Sequence, residues 1–210
     1  MVRIKFLLLI AIVGSMISCG GGKAKKKPAA TIAEYKFDAP KGWQVEKFPF
    51  PIQFAPQIAY KGFEDLRFTP GWESTGSEEH WSYTFLWWLD GKIDLDTAVL
   101  KQHLDDYYKG LLSQNIQQRS IPASKIITPK AAVTKTETES GDAETFHGTI
   151  LMLDYLDVTF KTLTLNCVIH KKDCNTHTAI IFEISSQPLE HEVWKELNAL
   201  EEGFSCLPVQ

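Results

Sequence analysis

The chain of 210 residues lacks the compact motifs that mark the common enzyme chemistries. It has no Gly-x-Ser-x-Gly elbow, no His-Glu-x-x-His pair, no phosphate-cradling glycine loop and no dinucleotide fingerprint. Activated-serine, zinc-protease and nucleotide chemistry therefore lose their usual support. No internal repeat and no second low-complexity segment break up residues 31–210, so one domain is expected there. A basic footprint is missing too. Six of the 22 Lys and Arg residues precede residue 28 and none of the 26 Asp and Glu residues do, leaving 16 against 26, a charge of −10 for residues 28–210. That balance argues against nucleic acid as a partner and leaves sugars, peptides, proteins and cations open.

What is abundant is aromatic surface. Glu79-His80-Trp81-Ser82-Tyr83-Thr84-Phe85-Leu86-Trp87-Trp88-Leu89-Asp90-Gly91, read at the two-residue period of a strand, puts Trp81, Tyr83, Phe85, Trp87 and Leu89 on one face. His80, Ser82, Thr84, Leu86 and Trp88 fall on the other. Such a face must be covered, because apolar burial stabilises by roughly 25 cal/mol per Å². This stretch is expected to be the central strand.

The N-terminus reads as an address. Arg3 and Lys5 are followed by the apolar run Phe6 to Val13 and by Gly14-Ser15-Met16-Ile17-Ser18-Cys19, the layout of a signal peptide. The apolar run is too short to span a bilayer, which takes about 20 residues. Met16-Ile17-Ser18-Cys19 resembles the lipobox of bacterial lipoproteins. The resemblance implies cleavage after residue 18, lipidation of Cys19 and a bacterial cell-envelope location, without saying which membrane. Residues 19–30, Gly-rich and then Lys-rich, form a flexible tether whose lysines either rest on anionic headgroups or keep it soluble.

Within 31–210 the order of patterns is strands, a helix, two hairpins and a helix. Pro49 and Pro51 place Phe48 to Phe54 at a sheet edge or in an extended loop. Asp94-Leu95-Asp96-Thr97 starts an amphipathic helix that carries Leu100, Leu104, Tyr107, Tyr108, Leu111 and Leu112 inward and covers the aromatic strand. Val133 to Glu139, Glu144 to Leu153, Val158 to His170 and Thr176 to Ser185 read as strands. A last helix opens at Pro188, with Leu189, Val193, Leu197, Leu200 and Phe204 buried and His191 in its first turn. The class is α+β with a mainly antiparallel sheet flanked by helices. That order, with Pro40-Lys41-Gly42-Trp43 near the start and Gly203-Phe204-Ser205 at the end of the last helix, is similar to the PsbP-like sandwich. The similarity implies an accessory or binding protein rather than an enzyme.

Two clusters could carry chemistry. Cys167, His170, Cys174 and His177 are four zinc-type ligands in eleven residues, but positions three apart on a strand face opposite ways, and Lys171 and Lys172 bring positive charge. The structural alternative is a hairpin turning at Lys171-Lys172-Asp173. With Cys19 acylated, three cysteines remain and one is left over. Cys167 with Cys174 is the preferred disulfide because the shorter loop closes more cheaply, and Cys174 with Cys206 is the alternative. The second cluster is His80 with Glu73, Glu78 and Glu79, an acid/base candidate in a turn-rich loop. Trp72 and Trp88, with Glu73 and His80, are the expected binding surface. The leading expectation is a non-catalytic, lipid-anchored envelope protein that binds or supports an envelope protein, with glycan binding or a metal-dependent enzyme at Cys167 to His177 as alternatives. No cofactor is implied.

Overall fold

A computed structural model describes residues 34–208. The lipobox, Cys19 and the tether lie outside them. The described residues hold nine strands and two α-helices: β1 (Tyr35–Lys36), β2 (Gln44–Pro49), β3 (Gly62–Phe68), β4 (Tyr83–Asp90), α1 (Thr97–Gln118), β5 (Lys130–Lys135), β6 (Glu144–Leu153), β7 (Thr162–Cys174), β8 (His177–Ser185), α2 (Val193–Glu202) and β9 (Ser205–Cys206). Seven strands form one antiparallel sheet in the order β2-β3-β4-β8-β7-β6-β5, and β1 pairs with β9 apart from it. The fold is α+β. None of the described helices is long and apolar enough to cross a membrane.

The aromatic strand behaves as its alternation predicts. Tyr83, Phe85, Trp87 and Leu89 enter one core with Leu100, Leu104, Tyr107, Tyr108 and Leu112 of α1. Leu86 and Trp88 enter a second core, on the opposite face, with Leu200 of α2 and Phe204. Phe85 stacks between Phe182 at 4.4 Å and Tyr107 at 5.3 Å, offset pairs of the kind aromatic rings prefer. The middle of the sheet is β8, with β4 beside it. The strand also starts later than the alternation suggests: Trp81 sits in a turn at φ 57, while its ring still reaches the α1-side core.

Helix α1 starts where its cap predicts. The Asp96 carboxylate accepts from Val99 N at 2.8 Å, which satisfies one of the orphan donors of the first turn. Gly110 lets the helix lie directly on the 50–58 segment, since a Cβ there would overlap the Phe54 carbonyl. As expected of a proline-flanked run, β2 is an edge strand. Helix α2 begins at Val193, not at Pro188. Pro188 to His191 form a turn closed by His191 N donating to Pro188 O, and Leu189 is 41% exposed rather than part of the buried stripe.

The β7–β8 hairpin differs most from its sequence reading. Lys171-Lys172-Asp173 is not a turn: β7 runs through it to Cys174, and Asn175-Thr176 make the turn, with Asn175 at φ 49. Asn tolerates that left-handed region better than most residues.

Candidate functional site

The hairpin geometry separates the Cys-His quartet. Cys167 and Cys174 lie seven residues apart on one strand, about 23 Å at 3.3 Å per residue and on opposite faces, so they cannot bridge. The preferred pairing is thereby corrected. Cys174 is bonded to Cys206, with Cα atoms 5.5 Å apart, and Cys167 is free. Cys167 is buried in the α1-side core, where desolvation pushes its thiol well up. His177 stacks on Trp88 at 4.7 Å, with its Nε2 3.5 Å from both Glu34 and Asp90. Only His170 of the four enters the site described below.

The loop candidates are also redistributed. Trp88 is 2% exposed and its indole N–H donates to Glu34, so it offers no ring face to a ligand. Trp72 is half-buried against Phe68, ring centroids 4.4 Å apart. Glu73 and Glu78 are exposed, and Glu79 accepts from Gly71 N. His80 meets none of them closely. Its Nε2 lies 2.9 Å from Asp154, whose other oxygen accepts from Trp81 Nε1 and from the backbone of Leu156 and Asp157. Asp154 is thus a clasp holding the Trp81 turn to the β6–β7 loop, and the expected acid/base cluster does not assemble.

The charged groups that do converge lie between the sheet and α2. On this face β7 presents Val168, His170, Lys172 and Cys174, and β8 presents Ala179, Ile181 and Glu183. His170 pairs with Ile181 and Glu183 with Val168, so His170 and Glu183 are diagonal neighbours across two central strands. Asp142 comes from the β5–β6 loop, and Asn198 and Glu201 from α2. A cavity of about 400 Å³ opens among them, with His170, Glu183, Glu201, His147, Trp194 and Leu189 in its wall.

The network has a definite order. Asp142 Oδ2 accepts from His170 Nδ1 at 2.9 Å and from Thr145 at 2.5 Å. Lys172 Nζ bridges Asp142 and Glu201 at 2.6 Å each. Asn198, in the amide orientation that satisfies both its ends, donates to Trp194 O and to Glu183 Oε2 at 3.0 Å. Two atoms are left over. His170 Nε2 is 3.7 Å from Glu183 Oε2, too far for a hydrogen bond, and Glu183 Oε1 has no hydrogen-bonding partner among the described residues. Both residues are buried, at 2% and 1% exposure. Buried polar atoms are normally paired, so two bare ones on neighbouring residues require a reason.

Electrostatics follows from that packing. Burial opposes the charged form of His170, but the carboxylates of Asp142 and Glu183 outweigh it and push the ring up to about 10. Burial likewise works against Lys172, and Asp142 and Glu201 outweigh it to raise its pKa. For Asp142, burial pushes up while bonds from His170, Lys172 and Thr145 hold the carboxyl below its usual range. Burial raises Glu183, with His170 pulling back.

Of this site, sequence reading had only His170. The signal for the rest was Glu183, one carboxylate inside the otherwise apolar run Ala179-Ile180-Ile181-Phe182-Glu183-Ile184. No protein-family model, no curated protein and no solved structure matches the chain.

Proposed function

We propose that the protein is a lipid-anchored binding or accessory protein of a bacterial cell envelope, acylated at Cys19, whose domain takes its ligand in the cavity between α2 and the sheet. The observation that carries the binding reading is the pair of bare atoms His170 Nε2 and Glu183 Oε1, on two central strands whose residues line a cavity. Sites on rigid strands hold their donors more closely than sites on loops. Export is supported by the leader and by the Cys174–Cys206 bond, which suits an oxidising compartment. The role is binding rather than turnover. A general acid or base works best with its pKa near the operating pH, and in this cluster only Glu183 is moved toward neutrality, while His170, Lys172 and Asp142 are displaced away from it. The element order and the Pro40 to Trp43 motif support placing the domain with PsbP-like accessory proteins.

Native mass spectrometry of the full chain released gently from its own membranes tests this reading. The expected species begins at an acylated Cys19 and carries a non-covalent mass that His170→Gln abolishes. A chain that keeps its leader, or a wild-type protein without added mass, would overturn it.

A further inference from the structure

Between His170 and Glu183 lies a geometry that suits a metal ion better than a hydrogen bond, and this inference rests on the reading of the cavity as a binding site. Zinc bonds to imidazole nitrogen and carboxylate oxygen run about 2.0–2.2 Å, so two ligands at the tetrahedral angle stand roughly 3.3–3.5 Å apart. The His170 Nε2 to Glu183 Oε2 distance is 3.7 Å. A few tenths of an ångström of closure would put one ion in contact with both, whereas a direct hydrogen bond needs about 0.7 Å.

The far side of the ring is prepared in the same sense. Asp142 accepts from His170 Nδ1 at 2.9 Å, which directs Nε2 toward Glu183. A histidine that ligates a metal through one nitrogen almost always donates its other N–H to a carboxylate, carbonyl or water, which fixes ring orientation and raises basicity. Glu201 stands on the Asp142 side of the ring: ligand atoms of Asp142, His170 and Glu201 all lie within 4.8 Å of one another. The space between Asp142 and Glu201 already has its cation, because Lys172 Nζ binds both at 2.6 Å. Among the described residues, no lysine or arginine lies between His170 and Glu183.

Charge points the same way. Once the ring has given up its proton, the Lys172 ammonium stands against three carboxylates, Asp142, Glu183 and Glu201, which leaves two negative charges for a divalent ion to neutralise. We propose that His170 Nε2 and the Glu183 carboxylate bind one divalent transition-metal ion of the zinc class, with Asp142 as the positioning residue. An imidazole with carboxylates suits zinc and its first-row neighbours more than calcium or magnesium, which prefer all-oxygen sites. A metal takes the deprotonated ring nitrogen, so the ion and a proton compete for Nε2.

The test is a zinc titration of the full chain in detergent, stripped beforehand with chelator, by calorimetry in buffers of different ionisation enthalpy. The expected result is one ion per chain at micromolar or tighter affinity, with about one proton released near pH 7. His170→Gln and Glu183→Gln are expected to weaken binding at least 100-fold. Asp142→Asn is expected to weaken it about 10- to 100-fold, the range for residues that orient a ligand. His177→Gln and Cys167→Ala should leave it unchanged. Should the buried variants fail to fold, the absorption spectrum of the wild-type chain loaded with cobalt(II) decides: a nitrogen and oxygen spectrum without a thiolate band supports the site. No ion held at 10 μM free zinc, binding that survives both glutamine variants, or a cobalt–thiolate band would overturn it, the first by identifying the cluster as an imidazolium held by carboxylates alone. A non-metal mass in the native spectrum together with no zinc binding would sink this inference and leave the binding reading standing.

Discussion

The two faces of the sheet handle buried charge in opposite ways. On the α1 side, Glu64 is fully buried among aromatic rings, with Trp87 Nε1 on one oxygen and no hydrogen-bonding partner on the other among the described residues. On the α2 side, His170, Lys172, Asp142, Glu183 and Glu201 form a connected set. A lone carboxylate in an apolar core escapes its desolvation cost by taking a proton, while a set of opposite charges escapes it by pairing. The first solution suits a core whose task is cohesion. The second keeps charge available at a cavity, and a buried ion cluster is weak evidence for stability taken alone, since apolar residues of similar volume often serve as well. The α1 side is therefore read as the stabilising half and the α2 side as the working half.

The widest gap between the faces should appear on truncation. Phe85, fully buried between Phe182 and Tyr107, is expected to cost about 4 kcal/mol as Phe85→Ala, by chemical denaturation, because the large core cavity cannot collapse. Zinc affinity should be preserved in the fraction that stays folded. A loss below 1 kcal/mol would break the assignment of stability to the α1 side.

Next in size is the covalent tie on the α2 side. The Cys174–Cys206 bond closes a loop of sequence separation 32 and holds β9 beside the hairpin. Cys206→Ser is expected to cost about 3–4 kcal/mol from the entropy returned to the unfolded chain. Added reductant should lower wild type toward the variant and leave the variant unchanged. Equal stability of wild type and variant under oxidising conditions would mean that the α2 side is held by packing alone.

Lys172 sharpens the comparison further. Lys172→Ala leaves Asp142 and Glu201 facing each other with only His170 nearby to compensate. Removing one partner of a fully buried pair costs roughly 3–5 kcal/mol, and Lys172 keeps 13% of its side chain exposed, so about 2–3 kcal/mol is expected. Lys172→Ala with Asp142→Asn should recover part of that loss. A double variant no better than the single one would show that the network is not coupled.

The same contrast explains what sequence could and could not reveal. The α1 side follows from local patterns: alternation from Tyr83 to Leu89, the Asp96 cap and a helical stripe each report their own burial. The α2 side depends on partners far away. Lys171, Lys172 and Asp173 look like a turn because three charged residues seldom share a strand, yet Lys171 reaches Glu144 and Lys172 reaches Asp142 and Glu201. The cluster draws on the β5–β6 loop, β7, β8 and α2, so no window of sequence contains it. The disulfide escaped for a related reason. Closure entropy favours the nearer cysteine, but an unbroken strand carries Cys167 and Cys174 to opposite faces, and rigid geometry overrides chain statistics.

The smallest expected effect belongs to Glu64 and reads its charge directly. Burial pushes the carboxyl up to about 7 from its ordinary 4.5, with the Trp87 N–H and the Tyr107 hydroxyl pulling the other way and Glu46 adding to the rise. Because the folded value lies above the unfolded one, the native chain binds more protons between 4.5 and about 7. Stability from this group is complete below 4.5 and is lost as pH rises through that window. The full difference amounts to roughly 3 kcal/mol at 1.4 kcal/mol per pKa unit, and relaxation of the core on ionisation reduces it to about 2 kcal/mol. Glu64→Gln keeps an acceptor for Trp87 and cannot ionise. The variant should therefore gain about 2 kcal/mol on wild type between pH 4 and pH 8, in urea unfolding at both pH values. Groups common to both proteins, the His170 cluster included, cancel in that difference. A gain that grows with falling pH would mean that Glu64 is charged in the fold and has a partner there, and the two faces would then treat buried charge alike.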